Sequence, residues 1–167
     1  MTVISSEKDP EALTLTIVSE FSAPVERVWR LWEDPRQLER WWGPPGYPAT
    51  FTRHDFSVPG RSVYYMDVPE GDRPYGWWSF LSIDPPRFLE IEDGFGDETG
   101  EPTGDIPPGT FEVTIEPAEL AAGGPGTRMT ITNRFVSLEQ FDRLMEMGQE
   151  IGMTLALGQI DDLLAGG

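Results

Sequence analysis

The sequence predicts an α+β domain in which a curved seven-stranded antiparallel sheet folds around one long C-terminal helix, with two short helices between strands one and two. Three observations carry that expectation. Residues 137–164 place apolar side chains at steps of three and four, the spacing of an amphipathic helix. Residues 47–135 hold short runs punctuated by Gly, Pro and Asp, as an antiparallel meander does. Ahead of them, Val25, Val28, Trp29 and Trp32 form a helical stripe that interrupts the strands.

In chain order, Leu13, Leu15, Ile17 and Phe21 alternate with Thr14, Thr16 and Glu20, the period of a strand with one buried face. Ser22-Ala23-Pro24 opens the first short helix, with Pro24 tolerated in the first turn, and Asp34-Pro35 ends it. Asp34 also caps the second helix, since Gln37 stands three residues on; Leu38, Trp41 and Trp42 are its apolar side and Gly43-Pro44-Pro45-Gly46 stops it. Strands are expected over residues 49–58, 62–68, 75–84, 87–93, 110–117 and 127–135, with turns at Pro59-Gly60, Pro69-Glu70-Gly71 and Pro85-Pro86.

Ser137 with Gln140 makes a capping box for the long helix. Leu138, Phe141, Met145, Gly148, Gly152, Leu155, Ala156 and Leu163 then share its buried face, while Glu139, Arg143, Glu146, Glu150 and Asp161 face water. Each glycine in a helix interior costs about 1 kcal/mol relative to alanine. Gly148 and Gly152 therefore answer a need for space, to admit a ligand or to let another backbone approach.

A chain of 167 residues with 38% hydrophobic content supports one domain with a real core, read here as residues 1–167 with an N-terminal tail at 1–11 and an acidic loop at 94–109. The formal charge of −17 repels phosphate backbones and anionic membranes, so neither nucleic acid nor a membrane surface is an expected partner. The absence of cysteine removes disulfides, thiolate metal sites and cysteine nucleophiles. With no signal-peptide pattern and no apolar run of spanning length, a cytoplasmic protein is expected.

The order of elements, together with residues 21–29 (Phe-Ser-Ala-Pro-Val-Glu-Arg-Val-Trp), Trp41-Trp42-Gly43-Pro44, Asp84-Pro85-Pro86 and the Gly148-x-Glu150-x-Gly152 spacing, resembles the START-like, helix-grip superfamily often called SRPBCC. Within it the likeness is to stand-alone homologues of the C-terminal domain of the heat-shock-protein-90 ATPase activator. Met153 stands where such relatives often carry tryptophan, and the 94–109 loop is longer than theirs. The resemblance implies a largely apolar cavity between the concave sheet face and the closing helix.

Candidate lining residues, chosen as large or soft apolar groups and the glycines opposite them, are Trp41, Phe51, Tyr65, Trp78, Phe80, Met145, Gly148, Gly152 and Met153. In the adjacent pairs Trp41-Trp42 and Trp77-Trp78 one member is expected in the core and the other over an edge or interface, unless one lines the cavity. No catalytic residue is assigned. His54, the single histidine, sits beside Asp55 in a strand where neighbours face opposite ways, so it reads as structural. Asp93, Asp97, Glu98, Glu101 and Asp105 lack the ordered spacing of a calcium loop, and Gly94-Phe95-Gly96 opens no helix for a phosphate, so no metal and no cofactor are expected. Three function classes remain. The first is a binding protein for a small hydrophobic molecule, monomeric or homodimeric. The second is a chaperone-associated, stress-response interaction protein, and the third a cyclase or hydrolase using cavity carboxylates.

Overall fold

The computed structural model describes residues 3–69, 73–104 and 106–166; Asp105 and most of the Pro69-Glu70-Gly71 turn lie outside them. One antiparallel sheet runs in the order β1-β2-β8-β7-β6-β5-β4-β3. Its strands are β1 (Val3–Asp9), β2 (Thr14–Phe21), β3 (Ala49–His54), β4 (Arg61–Met66), β5 (Tyr75–Asp84), β6 (Phe88–Gly96), β7 (Gly109–Glu119) and β8 (Pro125–Arg134). The sheet therefore has eight strands rather than the expected seven. The additional strand is β1, which pairs with β2 through Ser6 opposite Ile17 and Lys8 opposite Leu15. It covers an edge and buries little of itself, so the alternation that reveals a half-buried strand is missing from Val3–Asp9.

Helices α1 (Val25–Glu33) and α2 (Pro35–Leu38) connect β2, next to one edge of the sheet, to β3 at the other edge; α2 is shorter than expected, so Trp41 and Trp42, predicted on its apolar side, lie after its end. Pro24 stands at the N-cap of α1, and the Asp34 side chain accepts from the Arg36 N–H at 2.9 Å to cap α2. Val28, Trp29, Leu31 and Trp32 are the buried face of α1. They meet Leu15, Ile17, Phe80, Leu89, Ile91, Phe111, Val113, Ile115, Met129 and Ile131 in one core. Trp32 sits at its centre, with the rings of Trp41 at 4.8 Å, Trp42 and Trp78 at 6.0 Å and Phe111 at 6.2 Å. Such ring pairs contribute about 0.5–1.5 kcal/mol each beyond the area they bury.

The C-terminal region is not one helix. It is three: α3 (Leu138–Glu146), α4 (Gln149–Leu157) and α5 (Ile160–Ala165). Ser137 caps α3 as the sequence predicts, its Oγ accepting from the Gln140 N–H at 3.1 Å, while Gln140 Oε1 accepts from the N–H of Val136, one residue before the cap, at 2.6 Å. The run then breaks at Gly148, whose φ of +89° is a left-handed conformation that side-chain-bearing residues rarely adopt. Gly148 is therefore a chain-reversing cap, not a residue of a helix interior. Leu138 and Leu155, predicted inward, and Ile151, predicted on neither face, are exposed. No helix among the described residues is long and apolar enough to cross a membrane.

Candidate functional site: an apolar cavity with one inward carboxyl

The concave sheet face is tiled by rows of register partners, and two rows decide where space remains. In one, Ser62, Trp78, Asp93 and Gly109 follow each other across β4, β5, β6 and β7. In the next, Tyr64, Gly76 and Phe95 do so across β4, β5 and β6. Gly76 is required where it is, because a Cβ there would stand 2.4 Å from the Tyr64 ring. The Tyr64 ring thus lies over Gly76, and a Cβ on Gly109 would stand 3.1 Å from the Arg134 carbonyl oxygen, so both positions let neighbouring groups approach the sheet closely.

The helical layer leaves a gap. A Cβ on Gly152 of α4 would meet nothing within 4 Å. A cavity of about 330 Å³ lies between the two layers, walled by Trp41, Trp42, Tyr64, Met66, Tyr75, Phe95, Phe135, Leu144, Met153 and Ala156, with Gly148 and Gly152 on the helix side. That size falls at the lower end of small-molecule sites. Ile106 and Pro107 complete its rim, and Gln140 Nε2 holds the rim to α3 by donating to the Pro107 carbonyl at 2.5 Å.

Helix α4 is held over the cavity from β1. Ser6 Oγ donates to Glu150 Oε2 at 2.6 Å and Lys8 Nζ lies 3.2 Å from Glu150 Oε1, which together keep the Glu150 carboxyl below its ordinary pKa. At the sheet, buried Asn133 donates to the Leu15 carbonyl at 3.2 Å and reaches Met153 Sδ at 3.7 Å. Gln149 Oε1 is buried at the same wall with no hydrogen-bond partner.

Asp93 is the chemical exception in this apolar space. It is the only carboxylate among the described lining residues, and only its own backbone N–H faces it as a donor. Burial pushes its pKa up to about 7; that N–H opposes the shift and Glu92 adds to it. Tyr64 lies close enough to be affected by the Asp93 charge; burial first and that charge second push its hydroxyl well above the ordinary range. Arg134, the single cation among the described lining residues, is engaged elsewhere, with Nε 3.1 Å from Glu112 Oε1.

Of the residues named from sequence, Trp41, Gly148, Gly152 and Met153 line the cavity together. Phe51, Trp78 and Phe80 sit deeper, packed on one another and on Tyr64, His54 and Phe56. Met145 packs against the core from α3. Tyr65 lies on the other sheet face, its ring 5.5 Å from Tyr75 and 4.5 Å from the Arg73 guanidinium carbon, because Tyr64 is the residue opposite Gly76. The pair Trp77-Trp78 divides as strand parity requires: Trp78 enters the core, and Trp77 is buried on the far side beneath Arg61 and against Gly94. His54 is a bridge between elements, with Nδ1 2.7 Å from Ser62 Oγ and Nε2 2.9 Å from the Trp32 carbonyl, and burial lowers its pKa. The acidic loop is a tied turn over its described part. Asp97 Oδ1 accepts from the Thr99 and Glu101 N–H groups, and Arg61 donates to the Gly100 carbonyl at 2.7 Å.

Residues 22–165 match the model of the family described as activator of Hsp90 ATPase homolog 1-like protein. The chain belongs to that family. Among solved structures, the chain is similar to the solution structure of a protein from Arthrobacter aurescens. The identity is 50% over 99% of this chain and 94% of that one, with a TM-score of 0.90. It is also similar to the crystal structure of protein Ms6760 from Mycobacterium smegmatis, at 40% identity over 97% and 96% of the two chains with a TM-score of 0.86. An AHSA1 protein from Silicibacter pomeroyi shares the fold at 23% identity over 91% and 97% of the chains, with a TM-score of 0.70. No curated protein matches the chain.

Proposed function

We propose that the protein binds a small, largely apolar molecule between the concave face of its sheet and helices α3 and α4. The observation that carries this reading is the space itself: about 330 Å³ between sheet and helices, walled mostly by apolar side chains, beside a Gly152 whose Cβ would meet nothing within 4 Å. A core selected only for stability fills such space, since each missing methylene forfeits about 0.8 kcal/mol of burial. Native mass spectrometry of the freshly purified protein tests the reading. A bound mass that is lost on denaturation supports it. A bare chain, together with no heat on titration with apolar probes, refutes it.

A second reading, contact with a chaperone-like protein partner, draws on Ile151 and Leu155, which stand exposed four residues apart on α4. Addition of the protein to a purified Hsp90 ATPase separates the two, since a change in ATP turnover favours the partner. Cyclase or hydrolase chemistry through paired carboxylates has one candidate and no second, because Asp93 stands alone among the described lining residues.

A further inference from the structure

Asp93 projects, half-buried, from β6 into a space whose other walls are mostly aromatic and aliphatic, and no cation among the described residues is paired with it. Buried carboxylates in proteins are paired or hydrogen-bonded, because an isolated one is costly to hold. The groups that face it are known element by element. From β4 comes the Tyr64 hydroxyl, from β5 the Trp78 ring, from β7 the bare Gly109, and from β6 itself Glu92. The helical layer offers the amides of Gln140 and Gln149, and β8 offers Arg134, which is taken by Glu112. The chain as a whole carries a formal charge of −17, so its field draws cations toward any opening. A carboxylate in the same cavity as the rings of Trp42, Tyr64 and Phe95 is the chemistry that recognises an organic ammonium, through charge and through the electron-rich faces of the rings.

We propose that the ligand of this cavity is an apolar molecule carrying one basic nitrogen, bound as the ammonium with that nitrogen against Asp93 and its carbon frame along Tyr64, Trp42 and the bare surface of Gly152. The inference rests on the cavity-binding reading above and adds the ligand class to it. Gln149 Oε1, buried without a donor on the opposite wall, supplies a second acceptor for a further N–H.

The test uses the full chain, titrated calorimetrically with three probes that share one ring system: naphthylethylamine, naphthylethanol and naphthylacetate. At pH 8 the amine binds at least about tenfold more tightly than the alcohol, and the acetate binds most weakly. Because the Asp93 carboxyl has a pKa of about 7, amine affinity falls about thirtyfold between pH 8 and pH 5.5 while alcohol affinity does not. Asp93→Asn, which is isosteric and removes an unpaired charge, abolishes the preference for the amine over the alcohol. Equal binding of amine and alcohol, or an amine preference that survives in Asp93→Asn, overturns the ammonium assignment and leaves the cavity reading standing. Failure of all three probes to bind, with no ligand in the native mass spectrum, overturns both.

Discussion

Replacing Gly152 with leucine should make the protein more stable and a poorer host. The glycine lies in α4, donates its N–H to the Gly148 carbonyl at 2.8 Å, and has no atom within 4 Å of where a Cβ would stand. The substitution therefore gains roughly 0.7 kcal/mol of helix propensity without a clash. Partial burial of the new side chain against Met153 and Ala156 adds to this. For a domain of 150–250 residues each 1 kcal/mol moves the thermal midpoint by about 2–4 °C, so Tm should rise by about 2 °C or more. The same side chain occupies part of the 330 Å³ that a ligand needs. Displacing even two buried methylenes of ligand costs about 1.6 kcal/mol, which weakens binding by at least about tenfold. Scanning calorimetry gives the first quantity and titration with naphthylethylamine the second. A Tm lowered by more than about 2 °C would mean that the space over Gly152 is closed by packed neighbours. Unchanged affinity at unchanged Tm would mean that the space is not where ligands sit.

Asp93→Asn should stabilise the protein increasingly as pH rises. A carboxyl whose folded pKa is raised from 3.8 to about 7 costs the fold stability progressively as pH climbs from about 4 to about 7, on the order of 4 kcal/mol by pH 8, so the Tm gap between variant and parent should open across that window. His54 works in the opposite sense: its folded pKa is lowered from 6.5, so its stabilisation is complete above pH 6.5 and is lost as pH falls below that value, and His54→Gln should flatten the parent's decline on acidification. Gly148→Ala should lower Tm by about 2–8 °C, reflecting roughly 1–2 kcal/mol of left-handed strain, although an uninterrupted helix at this point would predict a gain. Asp97→Ala should release the turn held by Thr99 and Glu101 and speed cleavage after Glu98 by a protease specific for acidic residues; an unchanged rate in limited proteolysis would show that those bonds do not order the turn.

The parts of the fold that sequence made legible are those whose signals are local. The period of Leu15 and Ile17, the helical stripe of Val28, Trp29 and Trp32, and the caps at Asp34 and Ser137 each depend on residues within one turn or strand. Strand β1 escaped because Val3–Asp9 is held by backbone pairing at an edge and so needs no apolar face. The helix break escaped because a glycine at apolar spacing fits both a crowded helix face and a terminating cap. The position of Gly148 just after Met147, at the end of a nine-residue run, was the available sign of the cap. At the site, Tyr65 was named where Tyr64 belongs, since which of two adjacent tyrosines faces inward is fixed by register with Gly76. Asp93 was grouped with the acids of the loop after it. Its parity with Leu89 and Ile91, both fully buried, was the signal that it points inward.

The crowding of indoles around Trp32 has an optical consequence. Trp32, Trp41, Trp42 and Trp78 form a connected set with neighbouring ring centres 4.8 to 6.0 Å apart. At such separations excitation migrates between indoles far faster than any one of them emits, so a photon absorbed anywhere in the set leaves from its lowest-energy member. Two of the four, Trp41 and Trp42, face the cavity. A molecule that touches either therefore alters the light from all four, and the domain carries a built-in reporter whose gain comes from the same packing that stabilises its core.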